Sequence, residues 1–261
     1  MKARGYSVDT YHTLQTAYYS PATPLQTASY GPAIIRIVKD GDADKLRELM
    51  QAGLHPNCCN NHSESLLHMA CRRGYIDVVK VFLEFGANLQ VSDDYGRTPM
   101  HDACWQNEMN FQVVEEILKV DNRLFYMLDC RGSLPLSYVH KDHFEAWQEF
   151  LTNEEMLDKY FPKQAPSDEA PDLCKLWPNA RPLQDPKGAL SSELAQMVAN
   201  GKVDPADAVV LAEDISTVAE ESESDDSYDS DYDSSDDEDD DELEADQEII
   251  QLALSSSDLK F

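Results

Sequence analysis

The sequence repeats itself at a fixed interval, and this period constrains the fold more than any other feature. The interval is the distance from His68 to His101, and Cys71 and Cys104 are separated by the same distance. Periods of about 20–50 residues are typical of solenoids, in which copies of one small unit stack into a continuous core. The spacing therefore predicts a repeat array, and the rest of the chain can be placed relative to it.

The same period extends to both sides of this central pair of units. Gly41 and Gly53 precede Gly74 and Gly86 by one period each, which predicts a first unit at 33–57. A fourth unit at 129–151 follows at a slightly longer spacing, because residues are inserted at 107–110 and after the second helix of the third unit. Apolar residues three and four apart predict two short helices in each unit.

Helix boundaries in the two central units carry clear local signals. Ser65 and Thr98 are plausible N-caps, since a hydroxyl can accept a hydrogen bond from a free backbone N–H of the first turn. Pro99 follows Thr98 at the first helical position, where its missing N–H costs nothing. Gly74 and Gly86 are placed to end helices. These signals predict an all-α chain in this region.

The segments DDYGRTPMHDAC (93–104) and GYIDVVKVFLEFGAN (74–88) resemble the ankyrin repeat. The first and fourth units are degenerate, with Ile35 and Ser137 where that pattern has histidine. The resemblance covers roughly 33–151 and implies an all-α solenoid of about four repeats. It also implies a concave face, formed by the turn tips and the first helices, that binds a protein partner without catalysis.

The resemblance places the variable contact positions of the family at the turn tips and on the inner helices. Among them, Tyr95, Arg97 and Trp105 are the strongest predictions, because Tyr, Arg and Trp dominate interface energetics. An alternative role for Trp105 is packing beneath the insertion at 107–110. Contact positions in the fourth unit map to Cys130, Arg131, Ser133, Lys141 and Asp142. The residues predicted to bind protein are Asn61, His62, Glu64, Arg72, Arg73, Asp94, Tyr95, Arg97, Trp105, Gln106 and Arg131.

Composition divides the remainder of the chain into flanking segments. The predicted segments are a disordered Tyr/Ser/Thr-rich stretch at 1–32, an ankyrin domain at 33–162, a Pro-rich linker at 163–188, a short helical hairpin at 189–219, an acidic disordered tail at 220–248 and a short apolar segment at 249–261. The last segment is interpreted either as a frayed end or as a short helix that docks in a groove.

Charge is concentrated in the tail. The chain has a net charge of −29, and residues 220–248 hold 18 Asp and Glu with no Lys or Arg. Direct nucleic-acid binding is not expected, since phosphate contacts need clustered basic residues. The alternative function is therefore binding or chaperoning of basic, histone-like proteins through this tail. Four serines with an acid three residues later are possible phosphosites: Ser222, Ser230, Ser234 and Ser235.

Other classes of function find little support in the sequence. No run of about 18 apolar residues occurs, so no membrane association is predicted. Cysteines at the repeat spacing indicate small buried side chains in a reducing compartment, cytoplasmic or nuclear, although 1–32 weakly fits an organellar transit peptide. His68 and His101 could suggest zinc, but the ankyrin pattern already accounts for them. Neither a cofactor nor a catalytic residue set is predicted.

Overall fold

The computed structural model describes residue 4 and residues 22–163 and 185–222, with side chains up to residue 213. Within these ranges the chain is helical. The β-structure there is an isolated bridge between Cys59 and Ser65, at the base of one turn. The predicted all-α class is confirmed.

The described helices, numbered in chain order, are α1 (Pro24–Ala28), α2 (Pro32–Asp40), α3 (Ala43–Gln51), α4 (Leu66–Arg73), α5 (Ile76–Glu84), α6 (Pro99–Cys104), α7 (Phe111–Val120), α8 (Phe144–Thr152), α9 (Glu154–Tyr160), α10 (Ser192–Ala199) and α11 (Pro205–Ser222). Short 3₁₀ segments occupy Asn122–Tyr126, Pro135–Tyr138 and Lys141–His143.

The repeat units stack as two rows of helices. The first helices α2, α4 and α6 pack side by side, and the 3₁₀ segment Pro135–Tyr138 continues their row. The second helices α3, α5 and α7 form the other row. Apolar side chains at helical spacing fill the space between the rows, including Ile34, Val38, Leu46, Leu67, Val78, Phe82, Met100, Val113 and Ile117. Each unit therefore completes the core of its neighbour.

A buried histidine joins each central unit to the next. The Nδ1 atom of His68 accepts a hydrogen bond from the backbone N–H of Ser65 at 3.3 Å, and that of His101 accepts from Thr98 at 3.0 Å. The hydrogen therefore resides on Nε2. Nε2 of His68 donates to the carbonyl of Arg97 at 3.1 Å, and Nε2 of His101 donates to the carbonyl of Ser133 at 3.3 Å.

Buried aspartates hold the turns that these histidines contact. Oδ1 of Asp93 accepts from the backbone N–H of Tyr95 at 3.0 Å and of Arg97 at 2.8 Å. Asp129 holds the next turn in the same way. The tips are also joined to each other, since the N–H of Cys130 donates to the carbonyl of Tyr95 at 2.8 Å. The row of turns is thus a continuous hydrogen-bonded edge.

The N-terminal end of the array is covered by segments that are distant in sequence. Helix α10 packs on α1 and α2 and buries Leu194 and Val198 there. The N–H of Leu190 donates to the carbonyl of Gly53 at 3.2 Å, and the N–H of His55 donates to Oγ of Ser29 at 3.0 Å. The predicted hairpin at 189–219 is therefore a cap on the first unit.

Helix α1 corrects one predicted boundary. Disorder was expected throughout 1–32, whereas residues 23–32 form α1 and the start of α2. Composition suggested disorder because this stretch has few aliphatic residues. Its order depends on contacts with 185–199 and with the first unit, which no local pattern could indicate.

The other end of the array departs from regular ankyrin geometry. The fourth unit opens with 3₁₀ structure, and then α8 and α9 follow. Phe161 is fully buried. The guanidinium of Arg4 donates to Glu154 at 2.6 Å and to Asp158 at 2.7 Å. Residue 4 therefore lies against α9, at the opposite end of the array from α1.

Docking of α10 should be sensitive to one methyl group. A Cβ at Gly31 would lie 2.5 Å from the backbone oxygen of Ala199. We expect Gly31→Ala to lower the free energy of unfolding by about 1–3 kcal/mol, since backbone atoms must move apart. Urea titration should show the lower midpoint, and hydrogen exchange should be faster in α10. Pro32→Ala, at an exposed neighbouring position, is the control, and equal midpoints for Gly31→Ala and the wild type would contradict this packing.

The His101 contact should make stability depend on pH. Burial lowers the pKa of His101 to about 4, below the value of about 6.5 for an unfolded chain. The neutral imidazole of His101 therefore contributes up to about 3 kcal/mol to the free energy of unfolding. This contribution is complete above pH ~6.5 and is lost as the pH falls toward 4. In urea titrations at several pH values, His101→Gln should be less stable at neutral pH and should lose less stability between pH ~6.5 and ~5.

Gln112→Ala supplies the control for this prediction, since it is an exposed substitution that changes no titratable group. The window above pH ~5 avoids most carboxylate titration. If the His101→Gln variant lost as much stability as the wild type over that window, the assigned role of the neutral imidazole would be wrong.

Candidate functional site

A surface cavity of about 500 Å³ lies between the turns and first helices of the third and fourth units. Four residues from the predicted contact set line it: Tyr95, Arg97, Trp105 and Arg131. The turn tip of the third unit supplies the first two, the end of α6 supplies Trp105, and the turn of the fourth unit supplies Arg131. We call this the Tyr95–Trp105 pocket; its remaining lining residues are Asp129, Cys130 and Tyr138.

The pocket displays large aromatic side chains to solvent. Tyr95 is 50% exposed and Trp105 is 44% exposed, although both are residues that usually pack at least partly inside a protein. The rings of Trp105 and Tyr138 meet edge to face, with centroids 6.0 Å apart. An exposed, rigid aromatic cluster of this kind is typical of an interaction site.

Arginines stack on the aromatic rings and are themselves held in place. The guanidinium carbon of Arg97 lies 5.2 Å from the ring centroid of Tyr95, and that of Arg72 lies 5.2 Å from the ring centroid of Trp105. Nε of Arg97 donates to Asp93 at 2.7 Å, and Nε of Arg72 donates to Asp102 at 2.6 Å. These rings therefore have little rotamer freedom left to lose on binding.

Asp102 is the anchor of this charged layer. Its side chain is buried, and burial raises the pKa of Asp102 while the guanidinium of Arg72 opposes that rise. Arg72 also forms an ion pair with Glu64 from the second unit. Removing either partner would leave a buried charge without compensation, so these groups are structural supports of the pocket.

Arg131 differs from these two arginines. Its side chain is exposed, and within the described ranges it forms no ion pair. Its backbone N–H is held by Asp129 at 2.8 Å. Arg131 is thus a cation at a fixed backbone position with donors available to an incoming group.

The structure separates the two alternatives considered for Trp105 and corrects the prediction for its neighbour. Gln106 is 1% exposed, and its Oε1 atom accepts from the backbone N–H of Asn110 at 2.6 Å. Asn110 in turn donates to the carbonyl of Gly74 at 2.9 Å. Gln106, and not Trp105, therefore supports the insertion at 107–110. Gln106 cannot reach a partner from this position.

The predicted contact residues of the second unit lie beside the pocket and not within it. His62 and Asp94 are exposed at adjacent turn tips, where the N–H of Asp94 donates to the carbonyl of His62 at 3.0 Å. Asn61 is exposed on the same tip. Arg73 is exposed toward the first unit, near the carbonyl of Lys39. Together with the pocket, these positions form one surface, which we call the turn-side face.

Tyr138 is a pocket residue that the sequence interpretation missed. Its hydroxyl donates to Oδ2 of Asp129 at 2.5 Å, and burial together with this bond raises the pKa of Tyr138 to about 12. It lies on the 3₁₀ segment that replaces the first helix of the fourth unit. Because the fourth unit departs from the repeat pattern, the position of Tyr138 within the unit could not be assigned from the sequence. A tyrosine next to a degenerate helix start was nevertheless a usable signal.

Residues 4, 22–163 and 185–222 contain no group of three or more His, Cys, Asp or Glu placed to hold a metal ion. No helix in those ranges is both long and apolar enough to cross a bilayer. The side chains of the predicted phosphosites Ser222, Ser230, Ser234 and Ser235 lie outside the described residues, as do the tail and the segment at 249–261.

Comparison with known proteins gives similarity within the repeat array. The family model for ankyrin repeats matches residues 34–126 in three copies. The chain is 35% identical over 72 residues to the potassium channel KOR2 of Oryza sativa subsp. japonica, a match that covers 28% of this chain and 10% of the channel. It is 34% identical over 80 residues to cyclin-dependent kinase inhibitor 2A of Homo sapiens, covering 30% of this chain and 51% of that protein.

A third relative, the palmitoyltransferase Hip14 of Drosophila melanogaster, is 28% identical over 109 residues, covering 41% of this chain and 17% of the relative. The chain thus matches only a small part of the channel and of the transferase. These proteins have unrelated activities, so what they share with this chain is the repeat module and not a whole-protein function. The family match, the stacked helix pairs and the histidine-bridged turns together identify residues 34–126 as an array of ankyrin repeats.

Proposed function

We propose that the protein binds another protein through the turn-side face, with the Tyr95–Trp105 pocket as the centre of the contact and without catalysing a reaction. Ankyrin repeats are protein–protein interaction modules, which supports the general part of this proposal. The specific part of the proposal is the choice of this face and of the residues at its centre. The observation that carries it is the exposure of two large aromatic rings on supports that are buried.

Interface energetics favour this pocket over the rest of the surface. Residues that dominate binding are usually Trp, Tyr and Arg near the centre of a contact, surrounded by residues that exclude water. Here Tyr95, Trp105 and Arg131 converge on one cavity, and the exposed turn tip of the second unit lies beside it. Ordering costs on binding are small, because hydrogen-bonded turns already fix the backbone.

The exposed rings of Tyr95 and Trp105 are the first side chains to remove. We expect the double variant Tyr95→Ala/Trp105→Ala, made in the full chain, to weaken capture of the main partner by about 30-fold or more, equivalent to at least ~2 kcal/mol. Partners would be isolated on immobilised wild-type protein and quantified by mass spectrometry. Dissociation constants would follow for the main one.

Val120→Ala is the matched control, because Val120 is an exposed apolar side chain at the end of α7, in the row of second helices. Arg97 is not used, since its loss would disturb the turn that Asp93 holds. Both variants should unfold at urea concentrations close to that of the wild type. Full-strength capture by the Tyr95→Ala/Trp105→Ala protein would remove this face as the binding site.

A second candidate function is supported by the charge distribution. We propose that residues 220–248, with 18 acidic and no basic residues, bind a basic protein while the array serves as a scaffold. Electrostatic attraction of this kind weakens as salt shortens the screening length.

Deletion of 220–248 from the full chain should abolish capture of a partner that uses the tail. Raising the salt concentration from about 0.05 to 0.5 M should release the same partner from the intact chain. A full chain in which Asp and Glu of 220–248 are replaced by Asn and Gln keeps the length and serves as the control for chain reach. Capture that resists both salt and deletion would assign that partner to the turn-side face.

A further inference from the structure

The Tyr95–Trp105 pocket offers more hydrogen-bond donors than acceptors. The charged side chains that line it are Arg97, Arg131 and Asp129, and an arginine side chain can only donate. The indole N–H of Trp105 is a donor as well. A ligand that fits this lining must therefore supply acceptors, unless Asp129 already satisfies the donors.

The carboxylate of Asp129 is occupied by its own turn. Its Oδ1 atom accepts from the backbone N–H of Arg131 at 2.8 Å and of Ser133 at 2.7 Å, and its Oδ2 atom accepts from the hydroxyl of Tyr138 at 2.5 Å. Burial raises the pKa of Asp129, but these bonds outweigh burial and hold that pKa below its usual value. The carboxylate is thus ionised and satisfied within the turn, and it forms no ion pair with the Arg131 guanidinium.

Arg131 is consequently the cation that a ligand can reach. Its side chain is exposed and forms no ion pair within the described ranges, whereas Nε of Arg97 donates to Asp93 at 2.7 Å. The N–H of Cys130 donates to the carbonyl of Tyr95 at 2.8 Å, which fixes the turn that carries Arg131 beside the turn that carries the exposed tyrosine ring. A cation and an aromatic surface are therefore presented side by side.

The positive character is local to the pocket. Asp94 is exposed on the tip of the third unit, where its Oδ2 atom lies 3.8 Å from Nδ1 of His62. Glu108 is exposed in the insertion that follows α6. Neither acid is part of the pocket lining. An acidic tract laid across this face would meet both of them, so the arrangement favours one placed acid over a run of acids.

We propose that the pocket binds a carboxylate side chain of the partner, Asp or Glu, on Arg131, while a neighbouring apolar side chain of the partner packs on the rings of Tyr95 and Trp105. The planar donors of arginine match a carboxylate in a bidentate pair, and the half-exposed rings offer apolar area to the adjoining residue. This inference rests on the proposed function of the turn-side face and names the chemistry that the face recognises.

Variants at position 131 test the ion pair in the full chain. We expect Arg131→Gln to weaken capture of the main partner by about 10-fold, because a charge-assisted contact is lost, and Arg131→Glu to weaken it further. Lys80→Gln is the matched control, since it removes the same charge from an exposed position on α5, in the row of second helices. It should leave the dissociation constant within about twofold of the wild-type value.

A zero-length cross-link identifies the occupant. The variant Arg131→Lys keeps the charge and adds an amine, which a water-soluble carbodiimide couples to a carboxylate in contact with it. The amine nitrogen forms an amide with the activated carboxyl carbon, and the carbodiimide leaves as its urea with one carboxyl oxygen. Mass spectrometry should show a cross-link, absent from the wild type, between position 131 and one Asp or Glu of the partner. The exposed amine of Lys80 should form none with that protein.

Other results would each overturn the proposal. A cross-link from position 131 to residues 220–248 would assign the pocket to the tail of this chain, and capture that is lost after phosphatase treatment of the extract would assign Arg131 to a phosphate. Full-strength capture by Arg131→Glu, or a complex of Arg131→Lys without the cross-link, would remove the carboxylate contact. If Tyr95→Ala/Trp105→Ala still abolished capture in that case, the proposed function would stand; full-strength capture by both variants would remove the function as well.

Discussion

Neutral, buried imidazoles connect the local structure of this protein to its long-range order. In both central units one ring nitrogen satisfies the N–H of the helix cap, and the other donates to the turn of the following unit. A free N–H at a helix start and an unpaired carbonyl in a turn would both be costly if buried. One side chain removes both costs, and it does so only when the next unit is stacked in register. The position of each turn, and of everything that the turn carries, therefore depends on this contact.

The Tyr95–Trp105 pocket follows from that dependence. His101 fixes the turn of the fourth unit through Ser133, and Asp129 holds the backbone of the same turn. Tyr138 donates to Asp129 and so brings its ring against Trp105. The rings of Tyr95 and Trp105 are thus about half exposed to solvent while arginines stacked on them hold them in place. A surface of this kind loses little entropy on binding, and this is the physical basis for proposing it as the recognition site.

The sequence was informative wherever structure depends on neighbours within one unit. The caps at Ser65 and Thr98 and the helix ends at Gly74 and Gly86 were predictable from spacing and local chemistry. It was uninformative where distant segments meet. Helix α1 packs on α10, and the whole repeat array separates these two helices in the sequence. Gln106 is buried because Asn110 forms hydrogen bonds both to its side chain and to the carbonyl of Gly74. Tyr138 was missed because the fourth unit has lost the repeat register that made the others readable.

The central claim is that the face of the turns and first helices, and not the row of second helices, contacts the protein partner. Site-specific photo-crosslinking in the full chain tests it most directly, with a photo-reactive phenylalanine analogue placed at Tyr95 in one protein and at Val120 in another. Both positions are half exposed, so their intrinsic reactivity toward a bound protein should be similar. The account predicts a covalent adduct with the same captured protein from position 95 and none from position 120. An adduct from position 120 alone would place the interface on the opposite side of the array and contradict it.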